Sequence, residues 1–353
     1  MKRNLLVVIL LISWISLTAQ ITVLSEPEEK RDWWGDIDGF YNQQAKLSLE
    51  MVDDVLKSNP PDINESTIRK MSLLLIDNVL HVEQAAQLPS VQDFFRRRIE
   101  NAVREIRSAK VTEGALIWKL YNHAFVIKTN SLTIGFDIQN GLSSVKGFQL
   151  GNSLLEQLAE EIDILFISHY HGDHANAKVA EMFLEKNKPV VSPAGLWNDL
   201  PFYDRILHPE RKAHIAREIM LPEKSFNLRT VIYPGHQGTE IINNVYLIID
   251  PSGLSFAHTG DQSNAEDLRW IEKVKDFNSI DVLMVNSWGI DQDSKLISGF
   301  RPKLIIGGHE NEMGHSVDHR EPYWLNYIRL GGQRISPWIH MAWGEKYNYR
   351  PAN

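Results

Sequence analysis

The sequence predicts an α/β fold in which sheets are covered on their outer faces by helices. Two observations carry this expectation. From Ala115 onward, apolar runs of strand length recur between turn residues, among them "ALIWKLYN", "AFVIKT", "LTIGFDI", "IDILFIS", "PVVS", "RTVIYPG", "VYLIID", "LSFAHTGD", "DVLMVN" and "KLIIGGH". The first of them follow one another as hairpins. The later ones alternate with helical segments such as "ANAKVAEMFLEKN" and "NAEDLRWIEKVKDF", the pattern of strands that need helices to cover them.

The elements follow in order. Residues 1–19 have the layout of a secretory signal: Lys2 and Arg3, an apolar run from Leu5 to Leu17, then small and polar residues with cleavage expected after Ala19. The alternative is an uncleaved amino-terminal anchor, because no charge occurs between Arg3 and Glu26. Residues 20–110 form a helical amino-terminal region, a small cap or extension. "NPPD" at 59–62 breaks one helix. "PSVQDFFRRRIENAVREIRS" then opens with Ser90 and Asp93 in capping-box spacing and sets Val91, Phe95, Ile99, Ala102, Val103 and Ile106 on one stripe. Its arginines, Arg96, Arg97, Arg98, Arg104 and Arg107, read as a solvated face partnered by Glu100 and Glu105. Residues 111–353 form the domain that carries the chemistry.

Composition narrows that chemistry. The chain has 353 residues and no cysteine, which excludes disulfides, thiolate metal sites, iron–sulfur clusters and thiol nucleophiles. Any metal is held by His, Asp or Glu. A net charge of -8 argues against a protein that follows nucleic acid through its overall field.

Polar residues gather where apolar strands stop. Asp137 follows "LTIGF", His236 ends "YPGH", Asp261 ends "HTGD" and His309 ends "IIGGH". Densest of all is "ISHYHGDHAN" after "IDILF", which brings His169, His171, Asp173 and His174 onto one turn. His169 and His171 alternate along an extended segment, Gly172 permits a tight path, and Asp173 and His174 turn to another side, so one loop can feed two adjacent metals. Imidazole and carboxylate suit zinc most readily, with iron or manganese as alternatives.

With these residues on the page, the chain resembles the metallo-β-lactamase-fold hydrolases over about residues 115–345. "SHYHGDH" matches the HxHxDH motif of that superfamily, "YPGHQG" its next histidine, "HTGD" its bridging aspartate and "GGHENE" its last histidine. The resemblance implies an α/β, αββα four-layer sandwich of two mixed sheets with an amino-terminal helical extension. "WKLYNHAFVIKTNSLTIGFDI" is further similar to the opening hairpin of the branch of ascorbate-phosphate lactonases and N-acylphosphatidylethanolamine phospholipase D-like proteins, with Asn122 where that branch has glycine. Carried over by position, the resemblance implies one divalent metal on His169, His171 and His236, a second on Asp173, His174 and His309, and Asp261 between them. It implies a hydrolase of a phosphodiester, phosphate ester or lactone, acting through a metal-activated hydroxide, with Asp173 and Asp261 as catalytic carboxylates; the signal layout of residues 1–19 makes that hydrolase exported, periplasmic or secreted. Two other functions compete: a non-catalytic metal-binding or recognition protein on the same fold, and a metal-dependent nuclease.

Five further residues are candidates for orienting ligands or meeting substrate. Asp137 is expected behind a ligand histidine. His123, His258, His315 and His319 lie close in sequence to the motifs. The expected partner is a small-molecule or lipid-derived substrate, with no nucleic acid and no membrane span once the signal is removed. Trp324, Trp338, Trp343, Tyr323 and Tyr327 are as well explained by core packing as by a substrate wall.

Overall fold

The computed structural model describes residues 35–290 and 294–351. The expected signal segment and its cleavage after Ala19 lie outside the described residues. The chain divides into units 1–41 and 42–353; of the first, residues 35–41 are described, and helix α1 (Ile37–Ser58) begins among them.

Helix α1 stops where "NPPD" begins, since Pro60 bars its predecessor from the helical region. Helix α2 (Thr67–Leu80) is capped by the Ser66 hydroxyl, which accepts from the Arg69 N–H. Helix α3 (Pro89–Ser108) corrects one expectation. Its N-cap is Leu88 and Pro89 sits in its first turn, where a residue without an N–H leaves nothing unsatisfied. Ser90 is therefore inside the helix, and its N–H donates to Asn42 Oδ1 at 2.9 Å. The apolar stripe is buried as expected, with Phe94 added to it. Its arginines are not matched to Glu100: Arg97 and Arg98 pair with Asp53 of α1, and Arg107 with Glu161.

Thirteen strands follow among the described residues. One sheet has the order β13-β1-β2-β3-β4-β5, built from β1 (Ala115–Lys119), β2 (Phe125–Lys128), β3 (Thr133–Phe136), β4 (Ile164–Phe166), β5 (Val190–Val191) and β13 (Lys346–Tyr349). The other has the order β12-β11-β10-β9-β8-β7-β6, built from β6 (Ala216–Met220), β7 (Asn227–Gln237), β8 (Ile241–Ile249), β9 (Ser255–His258), β10 (Val282–Asn286), β11 (Leu304–Gly308) and β12 (Trp338–Ile339). Between strands lie α4 (Asn152–Glu161), α5 (Ala177–Glu185), α6 (Leu268–Ile271), α7 (Val274–Phe277), α8 (Lys295–Phe300) and α9 (Tyr323–Gly332).

Alternation along the strands sorts their side chains into three cores, and the cores define four layers. Ile117, Ile127, Ile134 and Phe166 of the first sheet meet Ile232, Ile248, Met284 and Ile306 of the second. The other face of the first sheet, with Trp118, Val126 and Leu165, packs against Phe95, Ile99 and Val103 of α3 and against α4 and α5. The other face of the second sheet, with Val245, Leu283 and Ile305, packs against Trp270, Val274 and Phe300. The architecture is the α/β, four-layer αββα sandwich that the sequence leads one to expect.

The topology places the chemistry. Strands β3 and β4 run parallel, as do β9, β10 and β11, so the carboxyl ends of each set open on one edge. Hydrogen bonds join the two sheets there: Tyr246 Oη donates to the Ile167 carbonyl at 2.7 Å, and the Asn244 N–H to the Ser168 carbonyl at 2.8 Å.

Candidate metal centre

His169 and His171 leave β4, and the turn is closed by the His174 and Ala175 N–H groups on the His171 carbonyl, at 2.9 and 2.8 Å. Gly172 does not have the left-handed conformation that would demand glycine, and a Cβ there would stand in open space. Asp261 follows β9 through Gly260, whose φ of 52° and contact with Asn243 and Ser168 leave no room for a side chain. His309 follows β11 with a φ of 73°, a conformation that costs a side-chain-bearing residue about 1–3 kcal/mol and recurs at functional sites.

Two groups of donor atoms result. His169, His171 and Asp261 offer one group, and Asp173, His174 and His309 the other, each with its ligand atoms within 4.8 Å of one another. Asp261 touches both: Oδ1 lies 3.3 Å from His174 Nε2, while Oδ2 lies 3.7 Å from His169 Nε2 and 3.6 Å from His309 Nε2. Asp173 Oδ2 lies 3.3 Å from His174 Nε2 and 3.2 Å from His309 Nε2. His236 stands apart from these groups. Its Nδ1 faces Asp267 Oδ2 at 3.1 Å, which leaves Nε2 as its free nitrogen. Its N–H donates to Gln262 Oε1, next to Asp261.

The residues fit a pair of divalent cations. His169 Nε2 and His174 Nε2 are buried and have no hydrogen-bond partner among the described residues, a costly state for a polar atom unless an ion takes it up. Orientation is provided from behind. His174 Nδ1 meets Asp137 Oδ2 at 2.8 Å, and Asp137 also accepts from the Ser168 N–H and hydroxyl, both at 2.7 Å. This is the carboxylate–imidazole pairing that fixes a ligand's tautomer. Asn122 has a left-handed φ of 57°, which asparagine tolerates better than most side chains. Its amide donates to Asp173 Oδ2 at 3.1 Å, and its carbonyl accepts from the His309 N–H.

Electrostatics follow from burial and proximity. Burial pushes His169 down to about 3, and His174 beside it adds to the shift. Against burial, Asp261 and Asp173 raise His309 to about 9 and hold His174 well above the ordinary imidazole value. Asp173 and Asp261 lie well below the usual carboxylate range despite burial, His174 and His309 being their main partners. The buried carboxylates thus stay charged and call for positive charge beside them.

The remaining candidates separate. His258 pins two loops, its Nε2 on the His123 carbonyl at 2.9 Å and its Nδ1 accepting from the Gly260 N–H at 3.2 Å. His123 is buried against it, ring centroids 4.2 Å apart, with neither ring nitrogen hydrogen-bonded among the described residues. His315 lies between Trp288 and His309, 5.8 and 5.5 Å from their rings. His319 is exposed and pairs with Asp318 at 3.3 Å; among the described residues no hydrogen bond or ion pair joins it to the cluster. Trp343 and Tyr323 are core residues. Sequence reasoning missed two amides that touch Asp261: Asn286 Nδ2 on Oδ1 at 2.7 Å and Gln237 Nε2 on Oδ2 at 3.2 Å. Asn286 ends β10 in "VLMVN", so the same strand-exit rule that singled out Asp137 and His309 would have found it.

This edge site on this fold defines a class. Residues 116–309, more than half of the chain, match the family described as the beta-lactamase superfamily domain. A metal-dependent hydrolase from Hyperthermus butylicus is 23% identical over 207 residues, covering 56% of this chain and 84% of that protein. Among solved structures, a metallo hydrolase from the archaeon Ignicoccus hospitalis superposes with a TM-score of 0.51 at 16% identity, over 67% of this chain and 99% of that one. The chain belongs to the beta-lactamase superfamily and has the metallo-β-lactamase fold of its metal-dependent hydrolases.

Proposed function

We propose that the protein is an exported hydrolase that cleaves a small ester-like bond, whether phosphodiester, phosphate ester or lactone, with two zinc ions held at the edge site. The observation that carries this reading is the pair of adjoining donor groups that share Asp261, with buried ring nitrogens left without partners. Two divalent ions in such a site bring the pKa of water towards neutrality and stabilise charge on a carbonyl or phosphoryl oxygen. His169, His171 and Asp261 would hold one ion and Asp173, His174 and His309 the other. His236 would complete the first set with Nε2, since Asp267 occupies its Nδ1.

The chain's own residues do the rest. Asp137 and Asp267 hold their histidines in the tautomer that aims Nε2 forward. Asn286 and Gln237 steady the Asp261 carboxylate. His315 faces the cavity beside Asp173, within the region where a leaving group would need a proton. Export rests on the Lys2–Arg3 start and the apolar run behind it. The test is metal content and turnover together. The reconstituted mature protein is expected to hold about two metals per chain, and Asp261→Ala to lose hydrolysis of phosphodiesters and lactones by about a thousandfold or more. Fewer than one metal per chain, or an active Asp261→Ala protein, rejects the reading.

A further inference from the structure

A cavity of about 240 Å³ borders the cluster, with Gly172, Asp173 and His315 on one side and Asn140, Ser143 and Ser144 on the other. Two larger hollows, of about 700 and 760 Å³, have none of the clustered histidines or aspartates in their walls. The wall that carries the serines is a loop bonded to itself. The Leu142 N–H donates to the Phe148 carbonyl at 2.8 Å and the Leu150 N–H to the Asn140 carbonyl at 2.7 Å. Gly141, at a φ of 98°, lets the two arms touch, and Gln92 of α3 ties the loop down through the Lys146 carbonyl at 2.9 Å. The polar groups it presents are therefore held in place before anything binds.

Those groups are of one kind. Ser143 and Ser144 are exposed, and their hydroxyls make no hydrogen bond among the described residues. Asn140 gives its Oδ1 to Asn176 at 2.8 Å and keeps its NH₂ free. His315 Nδ1 is buried, makes no hydrogen bond among the described residues and faces Glu312 Oε2 at 3.8 Å. The charged side chains of the lining, apart from His315, are Asp173 and Glu312, and no lysine or arginine is among them. Glu312 is already committed to Tyr121 Oη at 2.8 Å and to the His315 N–H at 2.6 Å. Leu142 is the lone apolar side chain of the lining.

Each feature removes a class of occupant. A phosphate remote from the scissile bond would face carboxylates without a cation to pair with. An acyl chain would find a single leucine where lipid pockets are walled with apolar side chains. What fits is an uncharged group rich in hydroxyls, of the volume of about eight water molecules at about 30 Å³ each, which is the size of one sugar ring. We propose that this cavity is the subsite for a neutral, hydroxylated, monosaccharide-sized portion of the substrate. The proposal rests on the hydrolase reading above and names its substrate class.

The experiment uses the zinc-loaded mature protein with bis(4-nitrophenyl) phosphate as reporter and three probes: D-glucono-1,5-lactone, its 6-phosphate and δ-valerolactone. Affinity is read as KM where a probe is turned over and as Ki where it only competes. Gluconolactone is expected to bind at least about tenfold tighter than the phosphorylated or the hydroxyl-free probe, since a site built to bond hydroxyls discriminates against analogues that lack them. Ser143→Ala with Ser144→Ala is expected to reduce that preference to less than about threefold while two metals remain bound. Equal affinity for the three probes, or a preference for the 6-phosphate or δ-valerolactone, overturns the subsite and leaves the hydrolase standing. A protein that holds no metal and turns over nothing overturns the hydrolase reading and this proposal with it.

Discussion

Asp137 shows how much a single side chain behind the site can govern. It is buried, sits at a φ of 46° and receives three hydrogen bonds, from Ser168 twice and from His174. Asp137→Asn keeps the shape but offers an amide where His174 Nδ1 needs an acceptor. Zinc affinity is expected to fall by about 10–100-fold, read by titration against a competing chelator, with the fold unchanged by circular dichroism. The histidines and aspartates were legible in the sequence because metal chemistry restricts the residue types and the turn crowds them together. Gln237 was not, because an amide near a carboxylate leaves no spacing signature; Asn286 was legible only as a polar residue at a strand exit. Asn122 was visible as a departure, but its role emerges only from the left-handed backbone it occupies and the Asp173 carboxylate it reaches.

Among the elements, helix α2 and the segment after β11 are locked together. Asp77 of α2 accepts from Asn311 Nδ2 at 3.0 Å and from the Tyr323 and Trp324 N–H groups at 2.9 and 3.1 Å, which caps α9. Arg320 Nη1 bonds back to the Leu80 carbonyl, and Arg69 forms a two-point pair with Glu345. The segment bearing His309 is thus fixed by the helical region rather than by its own sheet alone. Asp77→Ala strands several buried donors and is expected to lower stability by about 3 kcal/mol, measured by urea unfolding, and to weaken binding of the second metal more than the first. Nothing in the spacing of α2 announces this role, since a buried aspartate and a surface one look alike in a helix. The capping-box reading at Ser90 failed for a related reason: Pro89 outcompeted it for the start of α3.

At the level of the whole molecule, three apolar cores hold four layers. Phe95 stacks on Phe148 at 4.4 Å and meets Tyr121 and Trp343 edge-on. Phe95→Ala is expected to cost about 3–5 kcal/mol, seen as a lower urea midpoint with little change in slope. A carboxylate outside the two donor groups sets part of the acid response. Although burial opposes it, Asp281 is held below the ordinary carboxylate value by Lys303, Ser255 and Tyr349. A depressed folded-state pKa contributes stability above the unfolded value of 3.8, and that contribution is lost as pH falls through the folded value. Asp281→Asn is therefore expected to be less stable than the parent at pH 7, and the gap should close on acidification below about pH 4. The alternation of apolar runs made the layered α/β class legible. Strands β6, β12 and β13 escaped notice: "AREIM" is a half-exposed edge, "WI" is too short, and "KYNY" alternates polar residues against β1.

The shared core of α3 and the carboxyl-terminal segment has a bearing on how the chain is made. Trp343, which closes over Phe94 and Phe95, leaves the ribosome roughly 235 residues after Ser108, on the order of 10 to 50 s later at about 5–20 residues per second. Through that interval Phe94 and Phe95 lack the indole that completes their cover, although Tyr121 and Phe148 are already made. A nascent chain that has not reached Trp343 keeps the edges of Phe94 and Phe95 open to water, and the finished fold closes them.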